Sequence, residues 1–209
     1  MFFIADYRAS PPVVREKPKK GTWLVEIRDA KTRQSLLVEH DEPIDAYVFP
    51  DPETLPRKER RGASLWPSGE RHAEGVLVGE LDGQSWVCFV ELKGSLEHKD
   101  AAKQAPAERA LDQLEGSARH FHPASGSVGR AHHDQFADGS DELEVRPSKR
   151  HHVVGLLVAL RRSPMPPPRR AIVLGDVEVP LRAVRLSMTE PNRTRTSFRD
   201  LLKSAAVLP

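Results

Sequence analysis

The stretch GVLVGELDGQSWVCFVELKG, residues 75–94, decides how this chain folds. GVLVGEL (75–81) and SWVCFVELK (85–93) are rich in β-branched and aromatic residues, with Asp82-Gly83 near their junction. A DG pair between two such runs is a strong hairpin signal, because both turn positions need a left-handed backbone. WVCFV is apolar at consecutive rather than alternate positions, which predicts a strand buried on both faces. That strand ends in Glu91-Leu92-Lys93 and then Gly94.

Upstream, TWLVEIRD (22–29) and RQSLLVEH (33–40) read as a second hairpin around a polar turn at Ala30–Thr32, and IDAYVF (44–49) is a short strand bounded by Pro43 and Pro50. Residues 50–73, with early prolines and the cluster RKERR, read as a loop insertion. Residues 1–21 are broken by Pro11, Pro12 and KPKK and read as an ill-ordered lead-in.

Downstream, Ala107, Ala110, Leu111, Leu114, Ala118 and Phe121 fall at helical spacing after Pro106 and predict an amphipathic helix. Residues 123–150, rich in Gly, Ser, Asp and His, read as a second loop insertion. VVGLLVAL (153–160) is another fully apolar strand, PMPPP (164–168) is extended, and 171–187 holds two short strands. SFRDLLKSAAVL predicts a short helix inside a basic C-terminal extension, 188–209. The order is that of a mixed α/β (α+β) domain over 22–187.

Composition narrows the classes. The 209 residues are 38% hydrophobic and 30% charged, enough apolar material for a core. No run of about 18 apolar residues occurs, so no membrane span is expected. The start, MFFIADYRASPPVV, lacks the basic n-region and long h-region of a signal peptide. The single cysteine, Cys88, excludes an intrachain disulfide framework and a multi-cysteine zinc site, and the expected compartment is the cytoplasm. Mid-strand, it reads as a small buried hydrophobe. The net charge of +2 conceals a balance of −7 over residues 1–145 and +9 over 146–209. A basic segment of that size suits a polyanion or a solvated surface.

The chemistry centres on the strand end. Period two places Glu91 and Lys93 on one face, about 7 Å apart, with Leu92 turned into the core. A carboxylate there can hold a hard divalent ion while the ammonium reaches a water or phosphoryl oxygen. The alternative is a strand-end salt bridge that marks the return to solvent. Six of the nine histidines lie between His120 and His152 and read as polar loop residues. No Walker loop, GxGxxG or GxSxG is present.

Three segments, IDAYVF with Asp45, CFVELKGS with Glu91 and Lys93, and ALDQLEGSARHF with Gln113, together resemble the PD-(D/E)xK nuclease superfamily, over roughly residues 35–160. The closest likeness is to small bacterial members with an FVELKG-like segment. The resemblance implies a restriction-endonuclease-like core, a mixed sheet flanked by helices. It implies that Asp45 and Glu91 bind Mg²⁺ or Mn²⁺, that Lys93 orients or deprotonates the attacking water, and that Gln113 sits beside the site. Forty-five residues lie between Asp45 and Glu91, so Glu74 and Glu80 remain alternative ligands, with Gln104 an alternative to Gln113. The implied partner is DNA rather than RNA, in defence, restriction or repair, with a homodimer or larger complex possible in principle. Arg161, Arg162, Arg169 and Arg170 would grip its phosphates. The competing expectation is a subunit of the same fold whose site is inactive and which binds nucleic acid or assembles with partners.

Overall fold

The computed structural model describes residues 2–4, 15–19, 21–29, 31–48, 72–94, 106–120, 143–145, 151–159, 169–175 and 177–208. The first half of the chain supplies β1 (Phe2–Ile4), β2 (Arg15–Lys19), β3 (Thr22–Arg28), β4 (Ser35–His40) and β5 (Ile44–Val48). The hairpin strands β6 (Gly75–Leu81) and β7 (Gln84–Lys93) follow, then helix α1 (Pro106–His120). After β8 (Leu143–Val145) come β9 (His151–Ala159), β10 (Arg169–Leu174), β11 (Val177–Arg185) and β12 (Arg193–Ser197), and helix α2 (Phe198–Ser204) closes the described chain.

The hairpin expected from sequence forms about Asp82 and Gly83, whose φ values of 54° and 70° are the left-handed ones such a turn requires. It seeds a six-stranded sheet in the order β10-β11-β9-β7-β6-β5. β5, β6 and β7 form an antiparallel meander, and β9 then pairs parallel to β7. A parallel return needs a crossover, and α1 lies in that connection.

Both faces of β7 are covered, which explains its unbroken apolar run. Val87 and Phe89 pack with Leu111 and Leu114 of α1, while Cys88, Val90 and Leu92 face the opposite way. On that second face lies a four-stranded sheet, β12-β4-β3-β2, whose Ile27, Leu36 and Val38 share a core with Phe198, Leu201 and Leu202 of α2. Among the described residues the architecture is mixed α+β: two mixed sheets, a two-stranded β1-β8 pair, and two helices. Among the described residues no helix is long and apolar enough to cross a membrane. Cys88 is fully buried, and burial pushes its thiol up from the ordinary cysteine value.

Two terminal segments differ from the sequence reading. Residues 188–209 are no appendage: β12 pairs parallel to β4, and α2 is capped by Ser197, whose Oγ accepts the Asp200 N–H at 3.0 Å. RTRTS has no apolar alternation, and its strand exists because β4 offers it an edge. The lead-in likewise contributes β1 and β2. Pro18 in β2 is tolerated because, among the described residues, that strand is at the sheet edge and pairs only with β3, with a register irregularity between Glu16 and Lys19. Most of the expected insertions at 50–73 and 123–150, and the extended 164–168, lie outside the described residues.

Candidate active site

β7 carries Glu91 to the end of the sheet on the α1 side, following Val87 and Phe89 at period two. The carboxylate is fully enclosed (0% exposed). Lys93 stands at the rim with 24% of its side chain exposed, and its Nζ donates to Glu91 Oε1 and to Gln113 Oε1, the latter at 3.2 Å. Gln113 lies on α1, and its Nε2 donates to the His72 carbonyl at 3.0 Å. One amide therefore orients the lysine and ties the helix to the approach of β6. Glu91, Lys93 and Gln113 are thus brought together.

Burial is the main force on Glu91. It pushes the carboxyl up to about 7. The charge and hydrogen bond of Lys93 pull the other way, Asp29 adds a repulsive upward push, and the backbone N–H of Glu74 favours the ionised form. Glu91 Oε2 is buried and has no hydrogen-bond partner among the described residues. A carboxylate oxygen left that way costs free energy unless something not described satisfies it.

Register decides which acid stands beside it. Asp45 pairs with Val78, and Val78 with Val87, four residues before Glu91. That separates Asp45 from Glu91 by about 13 Å along the strand, as well as by two strand spacings across. Glu80 pairs with Ser85, six residues before Glu91, or about 20 Å along. Glu74 comes nearest along the hairpin, its backbone N–H donating to the Val90 carbonyl at 2.9 Å just before β6, while the carboxylate whose charge acts on Glu91 is that of Asp29. Among the described residues no group of three His, Cys, Asp or Glu is arranged to hold a metal.

Asp29 is the neighbour that sequence reasoning missed. It follows β3, where its Oδ1 accepts the N–H of Lys31 at 2.8 Å and of Thr32 at 3.2 Å, and its Oδ2 accepts from Thr32 Oγ1 at 2.5 Å. Those bonds explain it fully as a turn residue, and nothing local signals that its charge acts on Glu91. Gln34, at the other end of that turn, is buried against Gly94, where a side chain would overlap its amide. A side chain at this position would make the end of Gln34 shift, so the glycine eases the close approach of the two sheets.

The basic residues divide. Arg169 is exposed at the start of β10, whereas Arg170 is held by Glu108 at 2.6 Å, Asp112 at 2.9 Å and Glu115 at 3.3 Å. Its hydrogen bond to Asp112, helped by Glu108, holds the guanidinium more firmly in its charged form. Three carboxylates on one face of α1 thus engage Arg170 and fasten the helix over the sheet edge. Arg161, Arg162 and Gln104 lie outside the described residues, as do His122, His132 and His133. His152 stacks on Trp86 with ring centroids 4.5 Å apart.

No family model, no curated protein and no solved structure matches this chain.

Proposed function

We propose that this protein is a metal-dependent nuclease of the PD-(D/E)xK type that hydrolyses DNA phosphodiesters. The observation that carries the reading is an enclosed carboxylate, Glu91, with one buried oxygen unpartnered among the described residues, beside a lysine that an α1 glutamine holds at the rim. Of the three features on which the resemblance rests, Glu-x-Lys on β7 and the glutamine on the following helix lie together, while Asp45 stands at another level of the sheet.

The donor set fits Mg²⁺ or Mn²⁺, which take hard oxygens, use only one or two carboxylates and keep several waters. Glu91 and Glu74 would hold the ion, since register sets Asp45 and Glu80 at other levels of the sheet. When bound, such an ion supplies an activated water and neutralises charge developing on the phosphate. Lys93, partly exposed, can hold a water or a phosphoryl oxygen through an ammonium proton, and Gln113 fixes where that ammonium points. The enclosed floor around Glu91 excludes bulk water, which strengthens each of these interactions.

The test uses purified protein with single- and double-stranded DNA in Mg²⁺ or Mn²⁺. Glu91→Ala and Lys93→Ala are expected to reduce cleavage by at least about 100-fold, while Asp45→Ala leaves it within about twofold of wild type. Equal cleavage by wild type and the Glu91 and Lys93 variants overturns the assignment.

A second reading, an inactive subunit that binds nucleic acid or assembles with partners, is favoured by the register that sets Asp45 about 13 Å along the sheet from Glu91. It predicts DNA retention without cleavage in either metal.

A further inference from the structure

We infer that Ser117 is a positioning residue for the acidic pair Glu74–Glu91, acting through the two peptide units that precede Glu74. The inference rests on the metal-site reading above and adds the device that fixes its geometry.

Ser117 lies on the buried face of α1, fully enclosed between Leu114 and Ala118. Alanine would pack there and is the better helix former, so a serine needs a reason. Its Oγ accepts the Ala73 N–H at 2.8 Å. One helical turn earlier, Gln113 Nε2 donates to the His72 carbonyl at 3.0 Å. Both polar groups of the His72–Ala73 peptide are thus held by α1.

The next peptide is held as firmly, by different elements. The Ala73 carbonyl accepts from His72 Nδ1 at 2.9 Å, and the Glu74 N–H donates to the Val90 carbonyl at 2.9 Å. Two successive peptide planes therefore have all four polar groups engaged immediately before Glu74, and none of the four lies within the regular β6–β7 ladder. The result is a chain entry locked in orientation, which holds the Glu74 backbone against β7 at Val90, one residue before Glu91. Groups that orient ligands in this way are commonly worth 10- to 100-fold in metal affinity.

The test measures Mn²⁺ binding by calorimetry alongside the melting temperature, with no DNA present. Ser117→Ala keeps the packing and removes the acceptor, and Mn²⁺ affinity is expected to fall by about tenfold. Val179→Ala thins the same core on β11, away from residues 72–74. It is expected to lower the melting temperature while keeping Mn²⁺ affinity within about twofold. If Ser117→Ala cannot be purified folded, Ser117→Cys, which offers only a weak acceptor, is measured on the same two scales. Unchanged affinity in the Ser117 variant, or an equal loss in Val179→Ala, overturns the positioning role and leaves the metal site standing. Failure of the wild-type protein to bind Mn²⁺ overturns the metal site, and the inference with it.

Discussion

At the turn of the β6–β7 hairpin, Asp82 accepts two hydrogen bonds from Arg199, at 2.9 and 2.5 Å, while at the far end of β7 Glu91 accepts one from Lys93. The first pair stands in solvent, with side chains 62% and 46% exposed; the second encloses its acid completely. The arginine's hydrogen bonds hold the Asp82 carboxyl below its ordinary value, whereas burial lifts Glu91 to about 7 despite its lysine. Both acids have a cationic partner, so the partner does not decide the direction. Water decides it: a carboxylate that keeps its hydration gains from a nearby cation, and one stripped of hydration has that gain outweighed.

Removing the cation at the buried end should have the largest effect. Lys93→Met leaves an enclosed carboxylate without its counter-charge and is expected to cost about 3 kcal/mol at pH 8, near the low end for a broken buried pair because Lys93 is partly exposed. Below about pH 7 Glu91 takes a proton instead, so at pH 5 the loss should be smaller. Urea unfolding at both pH values checks this, and equal losses would break the contrast.

Next comes the pH dependence of the metal-free protein. The folded pKa of Glu91, about 7, lies above its reference value of 4.5, so the native state binds this proton more tightly than the unfolded chain does. Its contribution to stability is therefore present below the reference value and is lost as pH rises through about 7. Glu91→Gln removes the titration and should flatten the stability profile across that window. A slope there identical to wild type would remove burial as the explanation.

The smallest effect belongs to the turn. Asp82 has a depressed pKa, so its contribution is present above its reference value of 3.8 and lost as pH falls through the folded value. Exposure and salt screen that contribution, and Arg199→Ala should shift the melting temperature by no more than about 1 °C at neutral pH and physiological salt. A larger shift would show that the exposed pair is coupled to the α2 packing beside it.

Much of this was legible residue by residue. The DG turn, the continuous apolar runs of β7 and β9 and the 3.6-residue stripe of α1 are local signals, and each produced the expected element. β2 and β12 were not legible, since REKPK and RTRTS carry no apolar alternation and are strands only because another strand offers hydrogen bonds. In the site, Glu91 and Lys93 were visible as two charges ending a buried strand, and Gln113 through the resemblance. Ser117 carries no local signal on its amphipathic helix, and Asp29 reads from sequence only as the last residue of the run TWLVEIRD, because their partners lie 44 and 62 residues away in the chain.

The sequence by itself determined the elements around the site and the face of β7 that Glu91 and Lys93 share, since turn chemistry and side-chain period act over a few residues. Only the tertiary structure decided which acids act on Glu91, because the β5–β6–β7 register moves Asp45 four residues away while the fold brings the charge of Asp29 to bear on it. It alone also decided how far the Glu91 carboxyl is displaced. Desolvation is a sum over everything that excludes water, and here that includes a helix and a second sheet drawn from distant parts of the chain.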